Sequence, residues 1–261
     1  MVELVVKRKH LLLLIAVVSV SVLSCNVGIN GNGGTKVYVS SGYIGAYYSP
    51  HSLVLKKFHT EDEGYFFGVL SRNDKVYSIF GNDENRSKYE ALRNYFGDTA
   101  YVREFTYNEN LHNTPLAYLS NEIKSIVIRS THDFMGCPAG DTLNKMFSIY
   151  AISLDSYIQS GYQDVYDYSN PLTPIVCKEL VYEVTEYNPE YIGAPVYGKL
   201  SEIEYSKLRL IAGHYVRSFA KLFLLKFDSE PTLKQGELSV EIEFVDGTRL
   251  EASSALVDLF W

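Results

Sequence analysis

Near the C-terminus Leu238, Val240, Ile242 and Phe244 alternate with Ser239, Glu241 and Glu243, and Asp246-Gly247 follows. Period-two alternation ending in an Asp-Gly pair predicts a β-hairpin with a type I′ turn, Thr248 to Ser254 returning as the second strand. It also predicts one buried face and one wet face. Short runs rich in β-branched and aromatic residues predict further strands at 36–39, 53–58, 64–70, 75–80, 123–129, 175–185 and 222–227. Helical spacing is rarer. Tyr89, Leu92, Tyr95 and Phe96 recur at three to four residues within 84–96, and Asp141 stands where a cap would start a short helix at 142–150. Residues 201–210 fit either state. The pattern as a whole predicts a mainly β fold, an antiparallel β-sandwich with one or two short helices. No internal repeat interrupts it, and the charged, Asn-rich stretch at 80–113 is where a subdivision would fall.

The N-terminus follows a different pattern. Lys7, Arg8 and Lys9 precede the apolar run Leu11 to Val22, broken only by Ser19 and Ser21. A basic cluster followed by an apolar run is the order of a secretory signal. The run is shorter than the roughly 18 to 20 residues that a helix needs to cross a hydrocarbon core. It ends in Val22-Leu23-Ser24-Cys25, which resembles the lipobox of bacterial lipoproteins, with Leu23 bulkier than the usual residue at its place. The resemblance implies cleavage of residues 1–24 and diacylglycerol on the thiol of Cys25, with the freed amine able to take a further chain. Each buried methylene contributes about 0.8 kcal/mol, so two or more chains anchor stably. Residues 25–34, rich in Gly and Asn, then form a flexible tether by composition. The β-rich domain spans 35–261. No acidic pair follows Cys25, which by the same resemblance favours an outer-membrane protein facing the periplasm and leaves surface exposure open.

Charge narrows the partners. The chain carries 24 Lys+Arg against 31 Asp+Glu. Removing residues 1–24 leaves 21 basic and 30 acidic residues, a formal charge of about −9. Nucleic acid is therefore not an expected partner, since phosphate binding needs clustered Lys and Arg. Roughly 225 residues remain from Thr35 onward, enough for a sizeable core.

From about residue 120 a second resemblance appears. Ile126-Val127-Ile128-Arg129-Ser130, then Asp133-Phe134, then Pro138-Ala139-Gly140-Asp141-Thr142-Leu143-Asn144 with Phe147 is similar to uncharacterised lipoproteins of Bacteroidetes, as is the closing Ser229-Glu230-Pro231 leading to Asp246-Gly247. The resemblance implies a strand, a polar turn, a Leu-Asn pair and a final hairpin. It implies no activity.

The search for chemistry returns mostly structural readings. His-Glu-x-x-His, Gly-x-Ser-x-Gly, a phosphate-binding Gly-rich loop and Cys-x-x-Cys are all missing from the sequence. His132, Asp133 and Cys137 fall within six residues, so a thiol nucleophile or a metal set is conceivable, but proximity in a turn does not align nucleophile and base. Cys137 and Cys177 would form a disulfide in an oxidising compartment, or remain two buried thiols. Asp83, Asn85 and Ser87 have calcium-loop spacing, but Lys88 occupies the place of the required glycine, so a polar turn is expected and no metal or cofactor. His51, His59, His112 and His214 are dispersed, His214 reading as a sheet residue. The 22 tyrosines include Tyr43, Tyr47 and Tyr48, and Tyr157, Tyr162, Tyr166 and Tyr168. Such clusters either present a sugar-stacking surface or pack at sheet faces with wet hydroxyls, and packing is favoured. Two functions remain. One is a non-catalytic envelope module, bound to the membrane through Cys25 and binding a glycan or envelope protein. The other is a hydrolase of envelope or dietary polysaccharide or peptide. The first is favoured, because sandwich loops present binding surfaces and no catalytic set stands out.

Overall fold

The computed structural model describes residues 29–30, 35–60, 64–72, 74–108, 117–178, 180, 193–212, 219–229 and 236–260. Residues 1–24, Cys25, His112 and His214 lie outside them. In chain order the strands begin with β1 (Ile29–Asn30), β2 (Thr35–Ser40), β3 (Ala46–Ser49), β4 (Ser52–Thr60), β5 (Gly64–Arg72) and β6 (Lys75–Ser78). Helix α1 (Asp83–Tyr95) precedes β7 (Arg103–Asn108), β8 (Ala117–Leu119), β9 (Ile123–Ser130) and β10 (Phe147–Ser153). After α2 (Asp155–Gln159) come β11 (Ala194–Lys199), β12 (Ile211–Ala212), β13 (Phe219–Phe227), β14 (Glu237–Phe244), β15 (Arg249–Ala255) and α3 (Leu256–Phe260).

The centre is a five-stranded sheet, ordered β11-β10-β13-β5-β4, and antiparallel throughout. One face packs on the three-stranded sheet β15-β14-β9, making the sandwich. Leu238, Val240, Ile242 and Phe244 all point into that first core, at 1% exposure or less, so the strand faces are those the alternation predicts. The turn is not type I′, because only Gly247 of its residues has positive φ, and its N–H closes a type I turn on Phe244 O at 3.0 Å. The opposite face of the central sheet contributes Phe66, Ile152 and Leu224 to a second core with α1, α2 and Phe105 of β7. A four-stranded sheet, β12-β8-β3-β6, spans the flank and includes the parallel pair β3-β8. The third small sheet is β1-β2-β7. Within the segment expected to be a flexible tether, Ile29 and Asn30 thus pair with Val37 and Lys36.

Several expectations need correction. Residues 147–150 are strand, with only a single 3-10 turn at Asn144–Met146. Their strand sits inside the central sheet between two cores, so Phe147, Ile149 and Ala151 face one and Ile152 the other. Burial on both faces blurs the alternation that would identify a strand. Residues 175–178, expected as strand, are helical. The Asp83, Asn85 and Ser87 spacing lies inside α1, whose N-cap Asn82 accepts a hydrogen bond from the Asn85 amide at 3.0 Å.

The segment shared with the second resemblance has a clear physical role. Phe134, Leu143 and Phe147 are core side chains, and Phe134 and Phe147 both pack on the Phe227 ring. Gly140 N donates to Ser130 O, Leu143 N to Ile128 O, and the Asn144 side chain both accepts from Ile128 N (2.9 Å) and donates to Ile126 O (2.7 Å). One asparagine amide thus completes two backbone hydrogen bonds on the side of β9 away from β14. Among the described residues no helix is long and apolar enough to cross a membrane.

Candidate functional site

His132, Asp133 and Cys137 are parts of one turn, each engaged with that turn. Phe134 and Cys137 exchange backbone hydrogen bonds, Asp133 Oδ1 accepts from Ala139 N at 2.9 Å, and the His132 Nδ1 meets Thr131 Oγ1 at 2.9 Å. Their hydrogen bonds shape the turn. No disulfide joins Cys137 to Cys177. The reason is placement, since Cys137 packs half-buried on the first core while Cys177 is buried in the second. Tyr43, Tyr47 and Tyr48 are buried and present no outer surface. His51 is exposed, and among the described residues no group of three or more His, Cys, Asp or Glu could hold a metal ion.

The densest polar arrangement forms where α1 and α2 end. Gly97, at φ +71°, follows the α1 C-cap Phe96. Its N–H bonds Asn94 O, and the next N–H, from Asp98, bonds Arg93 O. Gly161, at φ +66°, does the same after α2. Its N–H bonds Ile158 O, and Tyr162 N–H bonds Tyr157 O. Both are Schellman motifs, in which a left-handed glycine lets its own amide and the next one satisfy the last helical carbonyls. The residues just beyond the two glycines then meet, the Tyr162 hydroxyl donating to Asp98 Oδ1 at 2.8 Å. Tyr162 itself holds φ +68°, which a bulky residue adopts only when its surroundings dictate it.

Asp98 is fully buried. Besides Tyr162 it accepts from Tyr43 N (2.7 Å, Oδ1) and Ile44 N (2.8 Å, Oδ2), tying the loop between β2 and β3 to the helix ends. Burial raises its carboxyl above the ordinary value, against the pull of these three donors and of Arg93. Arg93, also buried, pairs with Glu90 at 2.7 Å and donates to Ser41 Oγ. The Tyr89 hydroxyl donates to Ile44 O at 2.7 Å and lies 3.0 Å from Ser40 Oγ. Since the phenol has one proton to give, Ser40 is the donor in that second bond. Arg209 links the two helices directly. It donates to Phe96 O at 2.8 Å, pairs with Asp155 in the first turn of α2 at 2.9 Å, and lies over the Phe96 ring. A cation on the carbonyl end of one helix and a carboxylate at the amide end of the other both match the helix dipoles.

Four tyrosines close around this joint. Tyr43 contacts Tyr101 and Tyr157 at 5.2 Å, and Tyr162 contacts Tyr101 at 5.1 Å and Tyr157 at 5.5 Å. The Tyr157–Tyr162 contact is the side-chain contact that accompanies a Schellman motif. Arg103 lies over Tyr43 at 5.0 Å. Asp98, Arg93 and Arg209 were not singled out by the sequence. Its only available signal was the glycine placed just past each helix.

Chemically this is an anchoring site. Every Asp98 oxygen is engaged, so neither stands ready as a base. Tyr47 is buried with its hydroxyl lacking a hydrogen-bonding partner among the described residues, and burial and nearby Asp98 hold its ionisation well above the ordinary range. Burial likewise raises Tyr48, Tyr89, Tyr162 and Tyr168. For an acid raised by folding, stability is present below its unfolded value, about pH 10 for tyrosine, and is lost as pH rises through the folded value. The expected result is a steep alkaline transition in which the tyrosinate absorbance of these residues appears together with loss of fold. Smooth appearance of the full tyrosinate signal with circular dichroism unchanged would contradict the burial.

No family model, no curated protein and no solved structure was found to match this chain.

Proposed function

We propose that this chain is a lipid-anchored protein of the bacterial envelope whose β-rich domain binds or scaffolds a partner without catalysing a reaction. The observation that carries the proposal is the order of Lys7-Arg8-Lys9, the apolar run from Leu11 and the lipobox-like Val22-Leu23-Ser24-Cys25. A thiol at that place is the group that takes diacylglycerol as a thioether. The joint around Asp98 supports the non-catalytic part, since its polar groups hold two helix ends and a loop together. Exposed Leu172 and Tyr197 support binding: the Tyr197 hydroxyl reaches Leu172 O at 3.4 Å, so the two meet at the surface beside β11.

The anchor is tested by Cys25→Ala in the expressing bacterium. The parent should fractionate with membranes and carry a metabolically incorporated fatty acid, and the variant should lose both. A variant that stays as tightly bound to membranes as the parent would refute the anchor.

A further inference from the structure

We propose that the small sheet β1-β2-β7 is the membrane-proximal side of the domain and lies against phospholipid headgroups, an inference that rests on acylation of Cys25. It follows from chain length. Only residues 26–28 separate Cys25 from Ile29, which is paired with Val37 of β2. Four Cα steps of a fully extended chain reach at most about 14 Å. A leaflet's polar zone is about 5 to 7 Å thick, so the β1 edge stays within roughly two such thicknesses of the anchored cysteine. A free tether running to residue 34 would reach more than twice as far.

That edge is held from behind. All six residues of β2 are in register with β7, from Thr35 opposite Asn108 to Ser40 opposite Arg103. β7 in turn enters the body at Arg103, which lies over Tyr43, and at Phe105, a member of the second core. The lipid therefore connects to the domain through a paired sheet, which restricts how the body can turn above the bilayer.

The far side of the domain follows from the two cores. The sheet β15-β14-β9 lies across the central sheet from the second core, and so on the far side from Phe105. Exposed Glu251 of β15 marks that far side.

The test uses the full acylated protein in vesicles of phosphatidylethanolamine and phosphatidylglycerol containing a headgroup spin-labelled lipid. Trp261 is the chain's one tryptophan. In a Trp261→Phe background, a reporter introduced by Lys36→Trp should lose most of its fluorescence to the spin label, and one introduced by Glu251→Trp should keep most of it. Tyr107→Trp, at the position paired with Lys36, is a second reporter should the first disturb β2. A flexible Gly/Ser insert of about ten residues after Val27 should shrink the contrast, by lengthening the reach. Equal quenching at both positions, or stronger quenching at 251, on protein that remains vesicle-bound would overturn the orientation and leave the anchor standing. Protein that carries no acyl chain and does not bind vesicles would refute the anchor, and this inference with it.

Discussion

Replacing Asp98 by Ala should cost about 3 to 5 kcal/mol of stability, the range seen when one partner of a buried charged arrangement is removed. Two buried donors, the amides of Tyr43 and Ile44, and the half-buried Tyr162 hydroxyl lose their acceptor at once. Each unsatisfied donor costs about 1 to 3 kcal/mol before relaxation. Asp98→Asn should not rescue the loss, because its NH2 would face a backbone N–H whichever way the amide turns. Tyr162→Phe removes one donor and leaves the carboxylate two others, so about 1 kcal/mol is expected. Denaturant midpoints for the three variants, at unchanged slope, are the measurement. If Asp98→Ala proves no more costly than Tyr162→Phe, the joint does not hold the helices to the sheet.

Phe244→Ala should be about as damaging. Phe244 is 1% exposed and closes the end of the first core, and large-to-small aromatic substitutions there cost about 3 to 5 kcal/mol. That is a large part of the total stability of an ordinary domain. Its neighbour Glu243 points the other way, pairing with Lys124 at 2.8 Å and Arg249 at 3.3 Å on the wet face. Surface pairs of this kind contribute little, so Glu243→Ala should leave the thermal midpoint nearly unchanged. Equal, small shifts for both variants would mean that the alternation had been assigned to the wrong face.

These two sites differ in how far they could be read in advance. The hairpin is local, and Leu238 to Gly247 contain both its period and its turn, so a few residues specify register and burial. Most strands with one wet face were legible for the same reason, as was α1 from the spacing of Tyr89, Leu92 and Phe96. β10 was not, because a strand buried on both sides loses its alternation. Residues 175–178 were misassigned because a short apolar run fits strand and helix equally until its neighbours are known. The joint at Asp98 was out of reach for a different reason. Its partners at 43, 44 and 162 come from distant parts of the chain, and nothing in Gly97-Asp98 or Gly161-Tyr162 says that the two will meet. The buried tyrosines follow from that joint. Composition announced many phenols, and only the fold shows Ser40, Asp98 and Ile44 engaging the hydroxyls of Tyr89 and Tyr162.

The Asn144 amide closes the outer margin of β9. A strand at the margin of a sheet offers a row of unpaired amides and carbonyls, which another chain can extend into an aggregate. On β9 that row is occupied at Ser130, Ile128 and Ile126 by Gly140, Leu143 and Asn144. An asparagine can do this with one side chain because its amide carries the donor and the acceptor of a peptide unit. An aspartate at 144 would keep the acceptor for Ile128 N and lose the donor for Ile126 O, reopening half of the margin. If the proposed anchor gathers molecules on a membrane, such a reopened margin would face neighbours at high local concentration. The Leu-Asn pair thus serves two ends, Leu143 filling the core and Asn144 satisfying backbone groups on the outer side of β9.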